Sequence, residues 1–297
     1  MTPDPSSRRT PEAEFVARID DLLEKSLPER TIPWSASPPP EWAKQFRPRR
    51  IVDLGAGVGG FTHSVLLRLA QWGCLDDLEQ VVLVESDRNL LPGGESALRA
   101  HLFRQVNSAL PAGKGPGIAL DVHLAFIELR DGICKGEMTI PILEQHLDAD
   151  LIVASHLTYY FGEGSGHELL RCLRDRYLST AGRIWCVIRK RACPIYHARA
   201  KMLRNLGITD VKPFDYAEYF ESDVLPSLSG TTLLATEDKA YLCDPAFPNR
   251  GEAAHLLMWR QPPSIDPDDP YRRAVAEILV GSAALFVEQH FILGRCT

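Results

Sequence analysis

The stretch Arg50-Ile51-Val52-Asp53-Leu54-Gly55-Ala56-Gly57-Val58-Gly59-Gly60-Phe61-Thr62 sets the frame in which the rest of the chain is read. The residues up to Leu54 read as a short apolar strand, the glycines as a tight turn, and Thr62 onward as a helix. Gly55, Gly57 and Gly60 have the GxGxxG spacing, in which glycines permit the turn and let backbone approach a ligand closely.

Working outward, strand patterns recur at Gln80–Glu85, Ile118–Ile127, Asp150–Ser155 and Arg183–Ile188. Helical spacing fills the intervals at Thr62–Trp72, Gly94–Leu110, Ile140–His146 and His167–Leu178, and Pro194–Leu206 continues the alternation. Short apolar strands alternating with helices predict an α/β fold, a Rossmann-like, mostly parallel sheet covered on both faces. After Leu206 the pattern changes. Gly230–Cys243 and Ala253–Trp259 read as two more strands, forming an antiparallel pair at one sheet edge.

The flanks divide the chain into three segments. Residues 1–49 form an N-terminal extension: a polar start, a helical pattern over Glu12–Glu24, and a Pro-rich strap carrying Trp34 and Trp42 that is a candidate lid. Residues 50–262 form the sheet domain. Residues 263–297 follow a Pro/Asp-rich linker and are expected to fold as a helix over Tyr271–Phe291, packed on the core or at an interface. Glu277 and Glu288 interrupt its apolar run, so it does not read as a membrane span.

Bulk properties exclude several function classes. The 297 residues are 45% apolar with a formal net charge of −6, so no global field draws the chain to nucleic acid. The basic clusters Arg47–Arg50 and Arg189–Arg191 are short and poor in aromatics. Seven scattered cysteines without a CxxC spacing signal neither a disulfide framework nor a zinc site. The N-terminus lacks the apolar core of a signal peptide, and the expected location is cytoplasmic.

One charge bears on what the glycine turn holds. A dinucleotide would place its pyrophosphate on the N–H groups at the helix start, where a carboxylate two residues before Gly55 would oppose it. Asp53 is that carboxylate. S-adenosylmethionine has the reverse electrostatics, with no phosphate and with an α-ammonium and a sulfonium that an acid attracts. The second strand, Val81-Val82-Leu83-Val84-Glu85, ends in an acid able to accept both hydroxyls of a ribose. Glu85 alone would suit either ligand; the pair favours the sulfonium compound.

Taken in order, VDLGAGVGGFT, VVLVESD and DLIVASHLTYYF resemble the cofactor segments of class I S-adenosylmethionine-dependent methyltransferases, over about residues 48–192. The turn with Tyr159 and Tyr160 is similar to that of histamine N-methyltransferase-like enzymes. The resemblance implies a seven-stranded sheet with the last two strands as an antiparallel edge pair. It implies that S-adenosyl-L-methionine is the co-substrate, without a metal, and that Asp53, Gly55, Gly57 and Gly59 carry its amino-acid end. Glu85 would accept the ribose. In the turn after strand three, Glu128 or Asp131 would accept the adenine amine while Ile127 packs on the ring.

Ser155, His156, Tyr159 and Tyr160 leave strand four beside the transferable methyl. One tyrosine is expected to face the sulfonium, whose charge an aromatic face stabilises, and the other to pack in the core. His156 is either a general base or a structural strand-end histidine. Cys193 is read as a core or turn residue. No [DN]PPY follows strand four, and the carboxylate cluster of a magnesium-dependent catechol enzyme is not recognisable. The expected reaction is N- or O-methylation of a small-molecule substrate. The alternative is ring closure or lyase chemistry on the same co-substrate. Neither nucleic acid nor a membrane is an expected partner, and a homodimer is the assembly considered.

Overall fold

Strand β1 (Arg50–Leu54) pairs in parallel with β2 (Gln80–Glu85) on one side and β4 (Ala149–Ser155) on the other. The computed structural model describes residues 38–88, 90–91, 93–111, 117–124, 143–144, 148–158, 166–190, 216–242 and 284–296. β3 (Ala119–Leu124) extends the sheet beyond β2, and β5 (Leu178–Arg189) extends it beyond β4, both in parallel. β6 (Thr231–Leu242) and β7 (Ala284–Arg295) complete a seven-stranded sheet of order β3-β2-β1-β4-β5-β7-β6. β7 is antiparallel to both neighbours, β5 and β6.

Helix α1 (Gly60–Gln71) buries Phe61, Val65 and Leu69 at four-residue spacing, and α2 (Gly94–Ala109) buries Leu98, Leu102 and Val106 likewise. Both cover one face of the sheet together with Trp42, Ala43 and Phe46. The opposite face takes α3 (Gly166–Cys172, continued by a π-helical turn, Leu173–Tyr177) and α4, a helical segment from Tyr216 to Ser227. Phe220 of α4 and Phe291 of β7 meet with ring centroids 4.6 Å apart, tying that layer to the sheet. Among the described residues no helix is long and apolar enough to cross a membrane.

Two expectations are corrected. The final helix does not extend over Tyr271–Phe291 as read, because residues from Ala284 onward form β7, inside the segment 263–297 expected to be an appended helix. The reason is burial on both faces. Glu288 to Leu293 are all buried, so the strand lacks the apolar–polar alternation of a half-exposed one, and the apolar residues on either side of Glu288, Gln289 and His290 satisfy helical spacing equally well. The antiparallel pair is accordingly β6 with β7. The expected strand Ala253–Trp259 lies outside the described residues, as do Glu12–Glu24, Trp34, Cys193, Pro194–Leu206 and most of Ile140–His146.

Candidate functional site

The turn after β1 is built by three left-handed glycines, Gly55 (φ 74°), Gly57 (φ 58°) and Gly59 (φ 84°). Gly60 is the first residue of α1, so the left-handed glycines stand at alternate positions and the third of them precedes the one in the GxGxxG spacing. Gly59 also meets a packing limit: a Cβ there would lie 2.8 Å from Leu102 Cδ2 of α2. The turn is tied to β2, because the N–H groups of Gly55 and Ala56 both donate to the Val84 carbonyl, at 2.8 and 3.0 Å.

Asp53 is buried on the sheet face covered by α1 and α2. Its Oδ2 accepts the Thr62 hydroxyl at 2.5 Å, while Oδ1 is buried with no hydrogen-bond partner among the described residues. Burial pushes the Asp53 carboxyl up to about 7; the Thr62 hydroxyl draws it back and the Glu85 charge adds to the rise. A buried carboxylate with an open oxygen is costly by itself and is relieved by a cation or donor. The α-ammonium of an amino acid has that chemistry.

Glu85 closes the other side of the turn. Its Oε2 accepts the Gly57 N–H at 2.7 Å, and Oε1 accepts the Asp87 N–H at 2.9 Å and the Ser86 hydroxyl at 3.2 Å. The turn after β4 abuts the same loop, since a Cβ on Gly55 would lie 3.6 Å from Leu157 Cδ1. Asp53, Gly55, Gly57, Gly59, Glu85 and Ser155 thus gather at the carboxyl ends of β1, β2 and β4, where open α/β sheets bind ligands. Ser155 is half-buried at the end of β4.

His156 is held in a left-handed conformation (φ 54°), and its Nε2 lies 2.7 Å from Glu288 Oε1 on β7. Glu288 Oε2 lies 3.3 Å from His290 Nε2, and His290 Nδ1 accepts the Trp185 indole N–H at 3.1 Å. Thr62, Trp185, Glu288 and His290 were missed by sequence reasoning. The signal was present for the last two: residues two apart share one face of a strand, but their segment read as helix. Tyr159, Tyr160, Ile127, Glu128 and Asp131 lie outside the described residues. Among the described residues no group of three or more His, Cys, Asp or Glu side chains is arranged to hold a metal ion.

No protein-family model matches the chain, and no curated protein does. Solved structures do resemble it. A SAM-dependent methyltransferase from Thiobacillus denitrificans in complex with S-adenosyl-L-homocysteine is 16% identical with a TM-score of 0.47, covering 94% of this chain and 98% of that one. Loganic acid methyltransferase with SAH is 11% identical, with a TM-score of 0.48 and coverage of 97% and 93%. A cyclopropane-fatty-acyl-phospholipid synthase-like protein from Lactobacillus casei is 14% identical, with a TM-score of 0.49 and coverage of 96% and 91%. Likeness at this level carries no activity from one chain to another, because one fold hosts many chemistries.

Proposed function

We propose that the protein transfers the methyl group of S-adenosyl-L-methionine to a nitrogen or oxygen of a small molecule. The observation that carries this reading is the buried, unpartnered Oδ1 of Asp53 beside a left-handed glycine turn. That arrangement suits a cationic ligand end and disfavours a pyrophosphate. Asp53 would take the α-ammonium, with Gly55, Gly57 and Gly59 giving its carboxylate end close access to backbone. Glu85 would accept the ribose hydroxyls. A carboxylate offers roughly four acceptor positions. Three are filled, so two ribose hydroxyls would displace one bond, and the longest is that from Ser86.

Ile127 and Glu128 are proposed at the adenine, and Ser155, His156, Tyr159 and Tyr160 at the acceptor side. The bound sulfonium supplies an already activated methyl group, so the residues' task is to align the acceptor, exclude water and manage its proton. A small acceptor is supported by the net charge of −6 and by the lack of the [DN]PPY tetrapeptide after β4.

The test is mass spectrometry of the nucleoside formed from S-adenosylmethionine, with and without a panel of amines and alcohols. S-adenosylhomocysteine that appears only with an acceptor is the expected result. Methylthioadenosine would replace methylation with attack on the aminobutyl chain. Failure to bind the sulfonium compound would overturn the reading altogether.

A further inference from the structure

Asp53 stands opposite Leu83 of β2 and Val153 of β4. Side chains paired in register project to the same side, so the carboxylate is flanked within the sheet by apolar neighbours that offer it no hydrogen bond. Leu83 and Val153 are both fully buried, in the core that α1 and α2 cover. The donor to the carboxylate comes from the layer above. It is Thr62, the third residue of α1, whose hydroxyl donates to Asp53 Oδ2 at 2.5 Å; both residues are only 1% exposed.

A hydroxyl has one proton to give, and here it is committed to Oδ2. Tying one oxygen settles the orientation of the whole group. The last torsion of an aspartate is broad and roughly two-fold, so an untied carboxylate turns easily and offers its oxygens in no fixed direction. With Oδ2 held, Oδ1 is the oxygen left open, buried and with no hydrogen-bond partner among the described residues. The contact also sets the carboxylate against the first turn of α1, where the helix dipole favours negative charge. Glu85 of β2 is a charged neighbour that opposes ionisation of Asp53, and the Thr62 hydrogen bond favours it.

We propose that Thr62 is a positioning residue, which fixes the Asp53 carboxylate so that Oδ1 meets the α-ammonium of S-adenosylmethionine. The inference rests on that compound being the ligand proposed for this site. Asp53 supplies the charge and Thr62 gives it a direction. Anchoring the ammonium in one place limits the reach of the aminobutyl chain, and with it the positions open to the sulfonium and its methyl group. Thr62 acts on the amino-acid end of the ligand alone. An adenosine thioether that lacks this end gains nothing from it.

Calorimetry of the full chain near neutral pH tests the assignment with two ligands: S-adenosylhomocysteine, which carries the α-ammonium, and methylthioadenosine, which does not. Thr62→Val keeps the shape and removes the donor, whereas Thr62→Ser keeps the donor and removes the methyl group. Thr62→Val should bind S-adenosylhomocysteine at least about tenfold more weakly, the scale of a lost charge-assisted hydrogen bond, with methylthioadenosine little changed. Thr62→Ser should retain the affinity of the wild type. A role in packing predicts the opposite order, with valine tolerated and serine not. Thr62→Ala is the second variant without the donor, used where a methyl group against the carboxylate prevents folding, which thermal melts report. Folded variants without the donor that bind S-adenosylhomocysteine as the wild type does, or that lose both ligands equally, overturn the proposal. A serine variant as weak as the valine variant does the same. Failure of the wild type to bind S-adenosylhomocysteine is the separate outcome, and sinks the methyl-transfer reading itself.

Discussion

Glu85 Oε2 accepts the backbone N–H of Gly57 at 2.7 Å, so the acid that ends β2 holds the middle of the glycine turn that ends β1. The same carboxylate anchors its own following turn through the Asp87 N–H. Glu85 is therefore a brace for the loop as well as a candidate ligand for ribose.

Glu85→Ala should accordingly show two losses. S-adenosylhomocysteine affinity should fall by about 2–3 kcal/mol, the scale of charge-assisted bonds to buried hydroxyls. Stability should fall by about 1–2 kcal/mol, because the Gly57 N–H loses its partner. Calorimetry and denaturant unfolding measure the two separately. An affinity loss without a stability loss would mean that the brace is dispensable.

Binding of S-adenosylmethionine at Asp53 should depend on pH. With its carboxyl at about 7 in the free protein, Asp53 is mostly protonated near pH 6 and ionised above pH 8. A cation arriving at Oδ1 favours the ionised form, so binding should release a proton below pH 7 and none well above it. Affinity for S-adenosylmethionine should rise with pH through this window and then level off. The stability sign is the reverse. Asp53 binds its proton more tightly in the folded protein than in the unfolded chain, so its contribution favours folding below about pH 4 and is lost as pH rises toward 7. Calorimetry in buffers of different ionisation enthalpy counts the proton directly.

Two glycines separate backbone strain from crowding. Gly73 is left-handed (φ 67°) with open space around the site of a Cβ, whereas Gly59 is left-handed with Leu102 in the way. Gly73→Ala should cost about 1 kcal/mol from conformation alone. Gly59→Ala should cost about 1–3 kcal/mol more, since the buried Leu102 side chain must shift to admit the methyl group. Thermal unfolding of the pair measures the difference, and equal losses would show that Leu102 yields freely.

Trp185 is fully buried, edge-on to both Trp42 and Phe61, and supplies the donor to His290. Trp185→Phe should lower stability by about 2 kcal/mol, combining a small cavity with a lost buried hydrogen bond. His290 should then exchange tautomers, visible in imidazole nitrogen NMR spectra of the histidine-labelled protein.

Much of this architecture was legible in the sequence because its signals are local. Arg50–Leu54 and Gln80–Glu85 were read at their observed bounds, since a short apolar run ending in a glycine turn or an acid has few other interpretations. Asp53 and Glu85 could be placed at the carboxyl ends of these strands for the same reason. β7 was misread because local periodicity cannot say that a segment is covered on both faces. With it went Glu288 and His290, whose meaning depends on His156, more than a hundred residues earlier in the chain. Thr62 stood in the stretch read most closely, yet only the fold shows its hydroxyl turned to Asp53.

The place of β7 has a consequence for synthesis. Among the described strands it comes last in chain order but lies between β5 and β6. Until it emerges from the ribosome and docks, a nascent chain carries two unpaired strand edges where the finished sheet has none, the kind of surface that recruits other chains. Docking it also brings in the carboxylate and imidazole behind His156. Assembly of the His156–Glu288 contact is thus coupled to closure of the sheet, and a nascent chain that has not yet inserted β7 can hold the glycine turn but lacks Glu288 beside His156.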